Sequence, residues 1–125
     1  MIIGIGIDIV DIRRIEAIYQ KLEDHFLKKI FTQKEQDLFR ARGNNISTLA
    51  KIFASKEATL KAVSDTKGIA WKDMEIVHGL TGRPELFITG TALLNIKRRC
   101  ENFIAHLSIS DEKHYATAIV IIESL

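Results

Sequence analysis

The first ten residues alternate in the way that is typical of a β-strand, in which successive side chains point to opposite faces. One face carries only isoleucines: Ile3, Ile5, Ile7 and Ile9. The other face carries Gly4 and Gly6 ahead of Asp8. Glycines inside a strand mark a place where something else comes close. The pattern therefore predicts a core face made of isoleucines. On the opposite face it predicts a groove at the two glycines, which ends at the carboxylate of Asp8.

The spacing of apolar residues in the rest of the chain predicts helices and two hairpins. Three-and-four spacing favours a helix from Ile12 to Phe26, and a capping-box sequence at Thr32 begins a second helix that runs toward Gly43. Ser47 is expected to cap a third helix over residues 48–64. The order of elements predicts an α+β fold with a largely antiparallel sheet packed with helices. Its remaining expected elements are strands at 74–77, 86–88, 104–110 and 115–123 and a short helix at 91–101.

The last expected strand is apolar on both faces. Its apolar side chains on one face are Ala118, Val120 and Ile122, and those on the other are Ile119 and Ile121. Both faces therefore need cover. Helices of the same chain and another subunit are equally good candidates for that cover.

Composition limits the class of protein. The chain has 125 residues, 46% hydrophobic residues and one proline, which predicts a single globular domain over residues 1–125. A net charge of +2 is too small for the cationic surface that non-specific nucleic-acid binding needs. The single cysteine, Cys100, excludes an internal disulfide and a zinc cluster. No apolar run approaches the ~20 residues that span a bilayer, and no signal peptide is recognisable, so we expect a cytoplasmic protein without membrane or nucleic-acid partners.

Glu57 is the most unusual residue of the third predicted helix. At about 100° per residue it has Phe53 and Leu60 on one flank and Ala50 and Ala54 on the other, so we expect it on the buried face. The residues expected on the opposite side are Thr48, Ser55 and Thr59. A buried carboxylate is costly unless it is paired or binds a metal. The alternative is an exposed ion pair with Lys61, one turn further along.

Asp8 and Glu57 are together candidates for a Mg²⁺ site, because two carboxylates with phosphate and water oxygens make a usual octahedral shell. Their spacing in the sequence does not show that they meet. A second candidate surface is the polar face of the strand at 104–110, which carries His106 and Ser108. That face either lines a ligand site or faces solvent.

Four segments together resemble a known family. They are GIGIDIVDIRRIE at residues 4–16, FASKEATLKA at 53–62, TGRPEL at 81–86 and HLSISDEKHYATAIVIIE at 106–123. In order and spacing they resemble the short bacterial holo-[acyl-carrier-protein] synthases, which are 4′-phosphopantetheinyl transferases. The resemblance covers nearly the whole chain.

The resemblance implies an enzyme of fatty acid biosynthesis that works as a homotrimer with sites between subunits. Such enzymes transfer the 4′-phosphopantetheine arm of coenzyme A to a serine of acyl carrier protein and release adenosine 3′,5′-bisphosphate. By resemblance Asp8 and Glu57 bind Mg²⁺, and Lys61 contacts a coenzyme A phosphate. His106 and Ser108 are expected to line the coenzyme A site. Metal-bound water, Glu57 and His106 are the candidate bases, so Glu57, Lys61 and His106 are the candidate catalytic residues.

The resemblance also implies a docking surface for the acidic carrier protein. It assigns docking to Arg14, and Arg13 and Lys21 project from the same helix. The chain departs from the family pattern at Ile52, where an arginine is usual, and at residues 64–67, where glycines are usual. A rival hypothesis is a non-catalytic module that binds acidic helices and uses Asp8 and Glu57 only in ion pairs with lysines.

Overall fold

The computed structural model describes residues 1–125 and has the predicted α+β architecture, built only from antiparallel strand pairs. Strand β5 lies between β1 and β4 in one sheet, while β2 and β3 form a separate hairpin. None of the helices has the length and apolar character needed to cross a membrane. In chain order the elements are β1 (Ile2–Asp11), α1 (Ile12–Leu22), α2 (Asp24–Ile30), α3 (Gln33–Ala41), α4 (Ile46–Val63), β2 (Met74–His78), β3 (Pro84–Ile88), α5 (Gly90–Lys97), β4 (Phe103–Asp111) and β5 (Tyr115–Ser124).

Three helix boundaries differ from the expectation. The first helix is broken at Glu23, whose φ of 46° is left-handed, and the new direction lets α2 bury Phe26. Asn45, not Ser47, caps α4 by accepting a hydrogen bond from the Ser47 backbone N–H at 3.0 Å. Helix α5 ends at Lys97, earlier than expected. The capping box at Thr32 is confirmed.

The prediction of an isoleucine core face on β1 is wrong. The glycine face is the one that packs on α4, and the approach is close enough that backbone meets backbone. An added Cβ at Gly4 would lie 2.0 Å from the Ala62 carbonyl oxygen, and one at Gly6 would lie 1.9 Å from that of Ala58. A helix of the same chain therefore fills the groove that was predicted at the two glycines.

The isoleucine face of β1 is instead the outer face of the sheet. Ile5, Ile7 and Ile9 are each 60–67% exposed. In the β1–β5 register Ile5 lies opposite Ile121 and Ile7 lies opposite Ile119. Helix α4 covers one face of this sheet, and the opposite face presents a row of exposed isoleucines to solvent.

A fully buried ion pair fixes α4 from its other side. The Lys56 ammonium lies 2.7 Å from a Glu35 carboxylate oxygen, and neither side chain has any exposed area. Lys56 also donates to the carbonyls of Ile30 at 2.8 Å and Trp71 at 3.2 Å, and Glu35 accepts the backbone N–H of Ile76 at 2.8 Å. Burial lowers the pKa of Lys56, and Glu35 acts against that shift. The pair joins α2, α3, α4 and the start of the hairpin, so it fixes the rotation of α4.

The close approach of α4 to β1 makes Gly6 intolerant of substitution. We expect Gly6→Ala to destabilise the protein by about 3 kcal/mol or more, because an atom 1.9 Å from the Ala58 carbonyl forces the helix away. Gly82→Ala is the control: Gly82 has a φ of 79° and no neighbour within 4 Å, so only backbone strain of about 1–2 kcal/mol is added. Urea unfolding measures both, and equal losses would contradict the packing argument.

Candidate functional site

Asp8 lies on the α4-facing side of β1, just beyond the glycine contact. Its side chain is 16% exposed, and the Lys61 ammonium lies 3.3 Å from one carboxylate oxygen. The same ammonium donates to the carbonyl of Ile7 at 2.8 Å. The Thr117 hydroxyl of β5 donates to the backbone carbonyl of Asp8 at 2.8 Å. Strand and helix therefore hold this carboxylate between them.

Glu57 is half-buried, and its expected place on the fully buried face of α4 is wrong. The face that carries Thr48, Ser55 and Thr59 is the buried one. Two of these hydroxyls find partners within the helix, because Ser55 donates to the Lys51 carbonyl at 2.8 Å and Thr59 to the Ser55 carbonyl at 2.7 Å. Satisfied hydroxyls can be buried at little cost, which leaves Glu57 at the edge of the helix contact.

The structure brings the two carboxylates together. The pKa of Glu57 is raised, first by burial and then by the negative charge of Asp8, while Lys61 and Arg14 act in the opposite direction. Lys61 contacts Asp8 rather than Glu57, so the simple i,i+4 pair on α4 does not form. Four charged groups thus share one edge of the α4–β1 contact.

The pair of carboxylates fits a Mg²⁺ ion. The negative charge of Asp8 contributes to the raised pKa of Glu57, so a cation between the two carboxylates would relieve that repulsion. No group of three or more His, Cys, Asp or Glu side chains is arranged for a metal. Mg²⁺ is commonly held by one or two carboxylates, with substrate phosphates and water as the remaining ligands. Asp8 and Glu57 therefore suit an ion that arrives with a phosphate-bearing substrate.

His106 and Ser108 lie on the other side of the sheet. They are exposed on the outer face of β4, in register with Ile121 and Ile119 of β5. Asp8 lies in register with Ala118 on the face that α4 covers. His106 Nε2 lies 3.0 Å from a Glu123 carboxylate oxygen. Within one chain the structure does not bring His106 or Ser108 to the carboxylates.

The three cations of α1 have different surroundings. Arg13 makes hydrogen bonds of 2.9 and 2.8 Å to Asp11, and it lowers the pKa of that carboxyl. Arg14 is exposed, and its positive charge partly offsets the rise in the pKa of Glu57. Lys21 is exposed in the last turn of α1. Arg13 is thus occupied by a neighbour, and Arg14 lies within electrostatic reach of the carboxylates.

A cationic cavity on the opposite side of α4 was missed by sequence reasoning. Its volume is about 230 Å³, and its lining includes Arg42, Lys51, His78 and the buried Ile52. Burial and the two cations lower the pKa of His78, whose Nδ1 is buried without a hydrogen-bond partner. The residues come from three separate elements, so no sequence spacing indicates the cavity. Asp111 also lines the cavity, so its two cations, Arg42 and Lys51, face one carboxylate.

The loop after α4 has no glycine at residues 64–67, and hydrogen bonds support it. Ser64 takes a left-handed φ of 72° at the helix end. The Asn95 side-chain amide of α5 donates to the carbonyls of Asp65 at 2.8 Å and Lys67 at 3.3 Å. Hydrogen bonds from α5 therefore hold this loop.

Glu57 should cost the protein stability when it is ionised. A carboxyl whose folded pKa is raised destabilises the fold above that pKa, and the cost disappears below the ordinary value of about 4.3. We expect Glu57→Gln to raise the melting temperature slightly at neutral pH and to leave it unchanged near pH 4. The exposed Glu112→Gln is the control for calorimetry. A Glu57→Gln variant that melts below the wild type at neutral pH would show that the cations outweigh burial.

Comparisons with known proteins agree on one family. The family model described as the 4′-phosphopantetheinyl transferase superfamily matches residues 4–120. A holo-[acyl-carrier-protein] synthase of Phenylobacterium zucineum is 40% identical over 134 residues, covering 100% of this chain and 94% of its own. The crystal structure of the Neisseria meningitidis synthase has a TM-score of 0.85 at 37% identity and covers 99% of this chain and 100% of its own. That of the Helicobacter pylori synthase in complex with coenzyme A has a TM-score of 0.82 at 28% identity, covering 95% and 99%.

Proposed function

The chain belongs to the 4′-phosphopantetheinyl transferase superfamily, and from that premise we propose that it transfers the 4′-phosphopantetheine arm of coenzyme A to a serine of an acyl carrier protein. The observation that carries the proposal is the cluster of Asp8, Glu57 and Lys61 at the edge of the α4–β1 contact. The relatives named above are holo-[acyl-carrier-protein] synthases, and one was solved with coenzyme A. We place the reaction in fatty acid biosynthesis in the cytoplasm.

The proposed step is a displacement at phosphorus. The carrier serine oxygen attacks the phosphorus that bears the pantetheine arm, and the bond to the adenosine-bearing phosphate breaks. Adenosine 3′,5′-bisphosphate leaves with the bonding electron pair, so negative charge grows on its phosphate. Lys61 would neutralise that charge, because its ammonium lies beside Asp8, where the pyrophosphate would bind.

Mg²⁺ held by Asp8 and Glu57 would act as a Lewis acid on the pyrophosphate. The serine proton needs an acceptor. Glu57 is one candidate, because it is half-buried beside Asp8, where the phosphate-bearing substrate would bind. A water molecule at the metal and His106 of a neighbouring copy are the other candidates.

We propose that the complete site lies between copies in a homotrimer. His106 and Ser108 lie on the outer sheet face, away from Asp8, so they reach the carboxylates only of another copy. The exposed isoleucines of the same face support such an interface, because large exposed apolar patches usually mark contact surfaces. In this arrangement His106 and Ser108 contact coenzyme A.

The cationic cavity suits another part of coenzyme A. The donor carries a phosphate monoester besides its pyrophosphate, and the cavity offers the two cations Arg42 and Lys51 and the unpartnered Nδ1 of His78 against the single carboxylate of Asp111. A dianion binds well where several donors converge in partial burial. We propose this cavity as the site of that phosphate, with Lys51 supplying the positive charge that Ile52 lacks.

The rival hypothesis of a non-catalytic module is less well supported. It needs both Asp8 and Glu57 to be structural partners of lysines. Asp8 does pair with Lys61, but Lys56 pairs with Glu35, so Glu57 has no lysine in salt-bridge contact. The two carboxylates instead lie near one another, which is unfavourable unless a cation binds. A role in binding a cation therefore explains the two neighbouring carboxylates better than a role in stabilising the fold.

Removing either carboxylate should abolish transfer. We expect Asp8→Asn and Glu57→Gln each to reduce kcat/KM by roughly 100-fold or more, because metal stabilisation of charge amounts to several kcal/mol and each 1.4 kcal/mol is tenfold. The assay is the mass gain of apo carrier protein with coenzyme A and Mg²⁺. Asp37→Asn, on the exposed side of α3, is the control. Unchanged transfer by both variants at ordinary Mg²⁺ would remove these residues from the site.

Mixing inactive subunits should restore activity if the site is shared. We expect co-refolded Asp8→Asn and His106→Ala subunits to regain transfer, because a mixed assembly contains sites with both residues intact. Mixing Asp8→Asn with Glu57→Gln is the matched control and should restore none, since both residues belong to the same side of the site. A His106→Ala protein that is fully active alone would exclude His106 from the site.

Lys21 tests docking more cleanly than Arg14, whose charge also acts on Glu57. We expect Lys21→Glu to raise KM for carrier protein roughly tenfold and to leave KM for coenzyme A nearly unchanged, because attraction to an acidic helix is lost. Salt should weaken carrier binding by the wild type more than by the variant, since exposed charges are screened over about 8 Å. Lys97→Glu on α5 is the control. Equal effects of both variants would place docking elsewhere.

A further inference from the structure

An ion pair on the outer face of the sheet has no part in the proposed step described so far. The Nε2 atom of His106 on β4 lies 3.0 Å from a carboxylate oxygen of Glu123 on β5. The two side chains are 48% and 44% exposed. A pair as exposed as this contributes little to the stability of a fold, so stability alone does not account for it.

The strand register places Glu123 within reach of the ring. His106 lies opposite Ile121, two residues before Glu123, so the members of the pair are diagonal neighbours on one face. His106 is the only hydrogen-bond partner of the Glu123 side chain. The next residue, Ser124, is tied to the start of the chain, because its backbone N–H donates to the Met1 carbonyl at 2.8 Å. The carboxylate is therefore presented to the ring from a fixed strand end.

The carboxylate determines which nitrogen of the ring carries a proton. An ionised carboxylate can only accept a hydrogen bond, so Nε2 of His106 must donate to it. The hydrogen bond at one ring nitrogen fixes the role of the other. Nδ1 has no hydrogen-bond partner within the chain, so it is the ring atom that remains for a ligand.

A ligand can reach this ring without displacing a strand. His106 lines a cavity of about 490 Å³ between β3 and β4. The charged side chains that share this lining are Arg83 and Glu85. Neither forms an ion pair with His106, whose partner is Glu123. Glu123 is therefore the carboxylate that orients the ring.

We propose, on the basis of the proposed function, that Glu123 is a positioning residue for transfer. It accepts the hydrogen bond from Nε2 of His106 and leaves Nδ1 to meet the reactants bound at Asp8 and Glu57 of the neighbouring copy. Without that contact the ring can turn about its last torsion angle, which exchanges the two nitrogens. A ring that is held in one orientation is already placed for the step, which lowers the entropic part of the barrier. Glu123 acts only through His106.

Two variants separate the contact from the charge. Glu123→Gln keeps the reach of the side chain and an oxygen that accepts from Nε2, so we expect kcat/KM within about twofold of the wild type. Glu123→Asp keeps the charge but withdraws the oxygen by about 1.5 Å, which is beyond hydrogen-bond distance. We expect it to reduce kcat/KM roughly tenfold, because losing the partner that orients a histidine costs about tenfold or more in metal sites. The control is Glu101→Asp, at an exposed site before β4, which should leave kcat/KM unchanged.

A double-mutant cycle shows whether Glu123 acts through His106. Once His106→Ala has removed the ring, adding Glu123→Asp should change kcat/KM by less than about twofold, because residues that act as a unit are not additive. Light scattering and the melting temperature of each variant should match those of the wild type, since an exposed pair contributes little to stability. A purely structural role would instead lower the melting temperature and give the same loss with and without the ring.

The outcomes separate this inference from the proposed function. If the wild type transfers no arm from coenzyme A, the proposed function fails and the inference fails with it. If the wild type transfers the arm and His106→Ala is fully active, the ring has no role to be positioned for. If His106→Ala loses transfer but Glu123→Gln loses as much as Glu123→Asp, or Glu123→Asp keeps full activity, only the role of Glu123 is wrong. An additive loss in the double variant leads to the same conclusion.

Discussion

The contact between the backbones of β1 and α4 is the constraint on which the rest of the structure depends. Because Gly4 and Gly6 carry no side chain, the helix lies close enough for its alanine carbonyls to face the strand directly. Asp8 is the next residue on that face, and it meets the helix where Glu57 and Lys61 emerge. A larger separation would leave these charges apart. The small residues are therefore part of the site, although they perform no chemistry.

The Lys56–Glu35 pair complements this contact. Glycines set how close α4 approaches β1, but they do not set which residues of the helix face outward. The buried ammonium has three partners in different elements, and losing any of them would leave an unsatisfied charge. Rotation of the helix would break all of them together. Two adjacent residues thus have different roles: Lys56 fixes the rotation of α4, and Glu57 is available to a ligand.

The sequence predicted the elements and the chemistry-bearing residues better than it predicted the faces. Alternation located β1 and showed that something approaches Gly4 and Gly6, but a strand with isoleucines on one side and glycines on the other does not reveal which side receives the helix. Their hydrophobicity predicted that the isoleucine face would be buried. The glycine face packs on α4 instead, because it lets the helix come closer to the strand. Glu57 was placed on the wrong side for a related reason, because hydroxyls that bond within their own helix pack as well as apolar groups. The Lys56–Glu35 pair was beyond reach, since no periodicity links two residues on different helices.

The exposed isoleucines of β1 have a consequence for the life of the protein in a cell. A copy that has folded but has not yet found its proposed partners presents an apolar sheet face that resembles the surface of an incompletely folded chain. Chaperones and proteases recognise such surfaces. If the proposed trimer forms, chaperones and proteases therefore bind or degrade monomers, whereas the trimer buries the apolar face and is not recognised. The amount of working protein is then governed by encounters between copies as well as by their synthesis.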